Sequence, residues 1–511
     1  MTKLNGGTLV PVLAQCIMRA NRGRRDVDVV CRAAAYSSIA RKITASTVPD
    51  GTLPSSESDT AAAKSGPQPP LARMRTAVLL RSVVLTSIMS SPWLLRPCLG
   101  ILRRVVEASS ASTSSASSAR ARKSLLFDLD RNPVLRKLLQ MTVYSHFCAG
   151  SNTQQVQETV RQTKAAGFQG VILGYGKEIV MDNDGSGDSY EPAGAVSPDD
   201  AAQLERRKLQ VMEAWKQGTL QTLTMISPGD FLAIKFTGAG PLAVDALRAG
   251  EPMPPALAEA MHDICTATAA RGARLWLDAE QQVLQHTIDA WTIDLMRRYN
   301  RQPRPVVYNT IQAYLKGARA NAARHLRLAA DEGWALGIKL VRGAYIAHET
   351  RSLIHATQAA TDASYNDIAA SLIAKRVPAA AVGESSTMAA YPRVGLFLAT
   401  HNAESVRHAL QAYRARVLAG QPTVHLECGQ LQGMADEVSY GLVRQHEAAA
   451  AQHQAQTVPA AFKCLTWGSL AECLHFLYRR SIENQGAVVR TRHMANALRE
   501  ELWRRVRATG R

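Results

Sequence analysis

From about residue 140 onward, short β-branched or apolar runs alternate with Ala-rich amphipathic stretches. The runs fall at 170–173, 231–237, 274–280, 305–312, 337–345, 395–401, 424–430 and 461–466, with helical segments such as 315–333 and 402–419 between them. Consecutive parallel strands require a crossover, usually a helix, so this rhythm restricts the chain to an α/β architecture. Eight β-then-α units fit a (β/α)8 barrel, with an open doubly wound sheet as the alternative.

A barrel enzyme carries its polar residues at the C-terminal ends of its strands. Lys235 and Thr237 end the second run, Asp278 and Glu280 the third, and Gln312 the fourth. Arg342-Gly343-Ala344-Tyr345 closes the fifth, Thr400-His401-Asn402 the sixth and Gln430 the seventh. Any one of these is ordinarily a helix cap or a satisfied polar group. Six strand ends in succession point to a shared site.

Arg479-Arg480, with Glu483 one turn on, lies on an expected helix near the end of this region. Guanidinium forks match a carboxylate bidentately and keep their charge. With Lys235 they can form a clamp for a small carboxylic acid, although an isolated Arg-Arg-x-x-Glu pattern is more often a solvated face. Asp278 is a candidate acid near the far end of such a substrate, a partner that orients Lys235, or simply a helix cap. Gly343-Ala344 lets backbone N–H groups approach an anion, with Arg342 adding charge. Gln312, Thr400, His401 and Asn402 suit hydrogen bonding to a heteroaromatic cofactor.

Formal net charge is +18, but its distribution matters more. Residues 1–45 carry +6, 46–72 carry −2, 73–123 carry +8, and 124–511 only +6. A nucleic-acid protein carries its excess on the folded domain, so no nucleic-acid partner is expected. The first 45 residues are rich in Arg, Ala and Ser, with no acid before Asp26, and read as a mitochondrial transit peptide. Residues 46–139 read as a linker, N-terminal helices and a low-complexity segment, and 140–511 as the barrel domain. Within 77–107 the longest uncharged run is 14 residues, short of the roughly 18–20 that a spanning helix needs. Hairpin helices packed on the domain, or lying at a membrane surface, are expected instead. The eight cysteines are scattered without Cys-x-x-Cys, which suits a reducing compartment and no zinc ribbon.

Two motif matches are decoys. Gly238-Ala-Gly240-Pro-Leu-Ala243 imitates a dinucleotide fingerprint, but Pro241 directly follows its second glycine. Residues 182–188 resemble the start of a calcium loop without its terminal Glu, so no metal site is expected. P-loop, zinc-protease and serine-hydrolase motifs are absent from the sequence.

Seven motifs in order resemble the proline dehydrogenase family. They are Ala-Ile-Lys-Phe-Thr (233–237), Leu-Asp-Ala-Glu-Gln (277–281), Gln-Ala-Tyr-Leu-Lys (312–316), Lys-Leu-Val-Arg-Gly-Ala-Tyr (339–345), Ala-Thr-His-Asn (399–402), Gly-Gln-Leu-Gln-Gly-Met (429–434) and Arg-Arg-x-x-Glu-Asn (479–484). The resemblance runs from about residue 140 to the C-terminus. It implies a distorted (β/α)8 barrel, here with an N-terminal helical extension, that holds FAD non-covalently. It further implies oxidation of L-proline to 1-pyrroline-5-carboxylate, with electrons passed to ubiquinone at the matrix side of the mitochondrial inner membrane, where peripheral membrane contact is possible. Lys235, Arg479 and Arg480 would hold the substrate carboxylate, and Leu431 would wall its ring. Asp278 and Lys339 would be the active-site residues. Gln312, Arg342, Gly343, Ala344, Thr400 and His401 would contact FAD, with Asn402 beside them.

Two positions depart from the family pattern. Cys464-Leu-Thr-Trp-Gly stands where the family reads Tyr-Val/Leu-Pro-Tyr-Gly, and Leu-Gly174-Tyr where it often reads Leu-Asp-Tyr. The family's first tyrosine, 15 residues before the arginine pair, packs over the substrate ring. Cys464 in its place resembles 4-hydroxyproline dehydrogenases, in which the vacated space admits a ring hydroxyl. 4-Hydroxyproline is therefore the alternative substrate, and a non-catalytic binding barrel a remote one.

Overall fold

The computed structural model of the chain describes residues 69–111, 127–129, 131–176, 198–346, 349–379, 385–386, 388, 390–485 and 488–509. The expected transit peptide and the calcium-like stretch at 182–188 lie outside the described residues.

Eight parallel strands close on themselves: β1 (Gly170–Tyr175), β2 (Phe231–Ile234), β3 (Arg274–Leu277), β4 (Val307–Gln312), β5 (Leu336–Val341), β6 (Val394–Ala399), β7 (His425–Leu431) and β8 (Ala460–Trp467). Each pairs with the next, and β8 pairs back to β1 from Phe462↔Gly170 to Trp467↔Tyr175. The closed barrel rules out the open sheet. A three-residue strand, Cys148–Gly150, adds to the end of β8, and Val377–Pro378 pairs with Ser385–Ser386 outside the barrel. The sequence pattern anticipated neither.

Strand residues alternate with period two. Leu232, Ile234, Leu275, Leu277, Ile338, Leu340, Leu396 and Leu398 face outward into the main core beneath the helices. Ile172, Phe231, Trp276, Tyr308, Phe397 and Phe462 face inward and form a second core inside the barrel. Phe231 sits at its centre, 4.9 Å from Trp276, 5.2 Å from Tyr308 and 5.3 Å from Phe397 by ring centroids. A Cβ on Gly337 would lie 2.5 Å from the Val307 carbonyl oxygen and 2.7 Å from the Tyr308 ring. Only glycine lets that ring lie flat against β5.

At the N-terminal end of the barrel, Arg274 binds Glu427 across the interior through two contacts of 2.5 and 2.9 Å. Its guanidinium lies 3.8 Å from the centroid of the Phe231 ring. Burial alone would raise the Glu427 carboxyl; the Arg274 charge overrides it and holds the group below its ordinary value.

Residues Pro70–Ala495 make one compact unit. Within it, Thr76–Met89 and Pro92–Ala111 form the helical extension, bent 98° from one another. No single described helix is long and apolar enough to cross a membrane. Leu95, Leu102, Val105 and Val106 of the second helix share an apolar cluster with Leu474, Phe476 and Leu477 of the helix Leu474–Gln485. The residues from Asn496 belong to a separate unit, in which Glu501 takes Arg504 and Arg505, each at 2.8 Å.

Candidate active site

The same alternation that builds the inner core aims a second set of side chains into the C-terminal mouth of the barrel. Phe231, Ala233 and Lys235 share a face, as do Trp276 and Asp278, Gly337 and Lys339, Phe397, Ala399 and His401, and Phe462 and Cys464. Above the aromatic rings this face turns small: Gly174, Ala233, Ala399 and Cys464. A Cβ on Gly174 would meet only Ala233, at 3.3 Å and beyond. The mouth therefore has room that the opposite end lacks.

Its charges converge. Lys339 Nζ donates to Asp278 Oδ1 at 2.5 Å and lies 4.4 Å from the centroid of the Trp276 ring. Both side chains are largely sheltered, at 12% and 25% exposure. Cys464 lies within the fields of Lys339, Asp278, Arg480 and Lys235 together; burial dominates and pushes its thiol up to about 11. Burial therefore favours the neutral thiol over the thiolate. Arg480 is 8% exposed, with its guanidinium 5.4 Å from the Phe476 ring centroid. Three cations thus act on one small side chain, with the Asp278 carboxylate beside Lys339. That balance suits an anionic ligand. The side chain of Arg479 lies outside the described residues.

His401 Nε2 accepts the Leu431 backbone N–H at 3.2 Å, so the ring carries its proton on Nδ1 and fixes the end of β7. Gln312 is buried and donates to the Glu280 carbonyl at 3.3 Å.

Other expected residues take different positions. Arg342 turns outward over the Tyr365 ring and donates to Asp362 at 2.8 Å, Thr400 Oγ1 at 2.6 Å and Ser405 Oγ at 2.7 Å. Asn402 caps the helix Ala403–Leu418 by accepting from Ser405 N–H at 3.0 Å. Gln430 also faces the helices, linking the Thr400 carbonyl to Ser439. Thr400, Arg342 and Gln430 thus form a polar layer behind the mouth rather than its lining. Gly343 (φ 143°) leaves space for the Tyr314 ring, which a Cβ would approach at 2.4 Å; Ala344 is exposed. The Gly238–Ala243 decoy forms a 3-10 turn, Phe236–Ala239, leading into the helix Pro241–Ala249.

Glu280, marked in the sequence only as a polar strand-end residue, has a role that sequence reasoning did not assign. It is buried at 3% exposure, and its carboxylate accepts both the backbone N–H of Thr237, at 3.1 Å, and the Thr237 hydroxyl. Burial raises it to about 7, opposed by the Thr237 bonds and the Lys235 charge. An acidic residue two beyond Asp278 carried no sign in the sequence that its partner stood 43 positions earlier.

The chain matches the family model described as proline dehydrogenase over residues 156–493. It is 28% identical over 400 residues to the probable mitochondrial proline dehydrogenase of Schizosaccharomyces pombe, covering 71% of this chain and 80% of that protein. It is likewise 28% identical over 430 residues to rat hydroxyproline dehydrogenase, covering 72% of this chain and 83% of that one. Among solved structures, proline utilization A of Bdellovibrio bacteriovorus has the same fold (TM-score 0.57, 15% identity), with 81% of this chain matched to 40% of that chain. With two thirds of its length matched by the family model and its strands closed into this barrel, the chain belongs to the proline dehydrogenase family.

Proposed function

We propose that the chain oxidises L-proline at C5 to 1-pyrroline-5-carboxylate, using FAD and passing the electrons to a quinone in the mitochondrion. The observation that carries this reading is the convergence of Lys235, Lys339 and Arg480 on Cys464 beside Asp278. Lys235 and Arg480, with Arg479 beside it in the chain, would grip the carboxylate and leave the ring over the small residues of the mouth. The same cations disfavour a fourth positive charge, so the ring amine is bound with its lone pair free. Loss of hydride from C5 then forms the C=N bond of an iminium, whose N–H proton passes to solvent to give the neutral imine. Asp278, held by Lys339, is placed to stabilise positive charge developing on the ring.

FAD, when bound, supplies the hydride acceptor. The residues present fit a planar ring: Gly174, Ala233, Ala399 and Cys464 leave space above the aromatic core, and Lys339, Gln312 and His401 border it with polar groups. These three would hold it, with Gly343 and Ala344 offering backbone N–H groups.

A second reading, 4-hydroxyproline oxidation, is favoured by Cys464, which leaves room for a ring hydroxyl, and by the similarity to rat hydroxyproline dehydrogenase. Mitochondrial location is supported by the name of the S. pombe relative and by the basic leader. At its inner membrane, the bent helical pair Thr76–Met89 and Pro92–Ala111 offers a peripheral contact, with Trp93 90% exposed.

The test is the flavin absorbance of the purified protein, followed on adding L-proline and then 4-hydroxyproline. Bleaching by proline with the higher kcat/KM is expected. A clear preference for hydroxyproline replaces the first substrate with the second, and a protein that binds no flavin sinks both.

A further inference from the structure

We propose that Glu280 is a positioning residue: it holds the turn that carries Lys235, and so sets where the substrate carboxylate is gripped. This rests on the functional reading above.

Lys235 occupies the N-cap of the 3-10 turn Phe236–Ala239, with φ −121° and ψ 136°, and makes no side-chain cap bond. A helix start needs an acceptor for its first N–H groups. Lysine offers only donors. Glu280 supplies the acceptor from the neighbouring strand end: its two carboxylate oxygens take the backbone N–H and the hydroxyl of Thr237, two residues beyond Lys235. The turn is capped from outside, by Glu280 rather than by the lysine at its N-cap.

The main chain of Glu280 is also tied. Its N–H donates to Gln285 Oε1 at 3.0 Å, and its carbonyl accepts from Gln312 at 3.3 Å. Gln285 is held in turn by Asp289 at 2.8 Å. One residue therefore joins the ends of β2, β3 and β4, which bear Lys235, Asp278 and Gln312. The charges facing it are Lys235 from the β2 end and Asp278 from its own strand, while β4 and the helix Gln282–Tyr299 present the neutral amides of Gln312 and Gln285. A carboxylate this deeply buried costs stability unless such bonds compensate. The position therefore has a role beyond packing.

The experiment uses the full chain loaded with flavin. Glu280→Gln keeps the shape and removes one acceptor; Thr237→Val removes the hydroxyl at the other end of the same bond. In both, the KM for L-proline should rise roughly tenfold while kcat changes less than about threefold. Thr237→Ser, which restores the hydroxyl, should return KM to normal. In a Lys235→Met background, Glu280→Gln should add less than about twofold, because the residue it positions is gone. An unchanged KM in both variants, an equal fall in kcat, or a penalty that persists in full without Lys235 overturns the proposal. A chain that oxidises neither proline nor hydroxyproline overturns the functional reading alone. Calorimetric binding of cyclopentanecarboxylate still decides this one, since Glu280→Gln must weaken it roughly tenfold if Glu280 aims Lys235.

Discussion

The two ends of the barrel use the same device to opposite effect. At each, a cation lies over an inward-facing aromatic ring and binds a carboxylate: Arg274 over Phe231 with Glu427 at the N-terminal end, Lys339 over Trp276 with Asp278 at the C-terminal end. The first pair is bidentate, 11% and 5% exposed, and sealed by large rings. In the second, Lys339 Nζ holds Asp278 through Oδ1 at 2.5 Å, and Asp278 is 25% exposed near the small residues of the mouth. A fork that saturates its partner closes an end. A single ammonium leaves carboxylate lone pairs for something else. The difference lies in what each pair has left to offer, rather than in charge.

Glu427→Gln should give the largest effect, because it strands Arg274 in a dry interior. A loss of about 3–5 kcal/mol is expected from the urea midpoint. Asp278→Asn should cost about 1 kcal/mol or less, since that pair is partly solvated, while turnover collapses. Equal stability losses would break the comparison. Arg480→Met should raise the KM for proline roughly 100-fold with flavin retained, as befits loss of a charged contact to the substrate. An unchanged KM removes Arg480 from the clamp. Cys464→Tyr should shift the ratio of kcat/KM toward proline over 4-hydroxyproline by about tenfold, by filling the space above the ring. No shift in that ratio detaches Cys464 from substrate choice.

The mildest expectation is a slope with pH. The Glu280 carboxyl is raised to about 7, above the roughly 4.3 of an unfolded glutamate. The folded state then holds its proton more tightly than the unfolded state does. The associated stability is fully present below the unfolded value and is lost as pH rises toward 7. Glu280→Gln should flatten this fall in Tm across that window. A wild-type curve already flat there contradicts the assignment.

Much of this architecture was legible in the sequence. All eight strands were marked, because apolar runs with turn signals leave few alternatives for a parallel sheet. Their ends were less so: the second run was read to Thr237 and the third to Glu280, whereas the strands stop at Ile234 and Leu277. There the chain leaves the ladder to satisfy its polar groups locally, in the turn at 236–239 and in the bonds around Glu280. Strand-end polarity located the mouth. It could not separate residues facing the interior, such as Lys339 and His401, from those facing the helices, such as Arg342 and Thr400, because one step along the strand reverses the side. The bond from Glu280 to Thr237 was invisible for a different reason: neither residue type announces a partner so far away along the chain.

The family match begins at residue 156, well after the helix Pro92–Ala111. Yet that helix shares its apolar face with the helix that presents Arg480. A chain trimmed to the family match would keep all eight barrel strands and Arg480, and would still lose the outer brace behind that arginine. For anyone shortening the protein for expression or crystallisation, a boundary that keeps this brace falls before Pro92 rather than at the first strand.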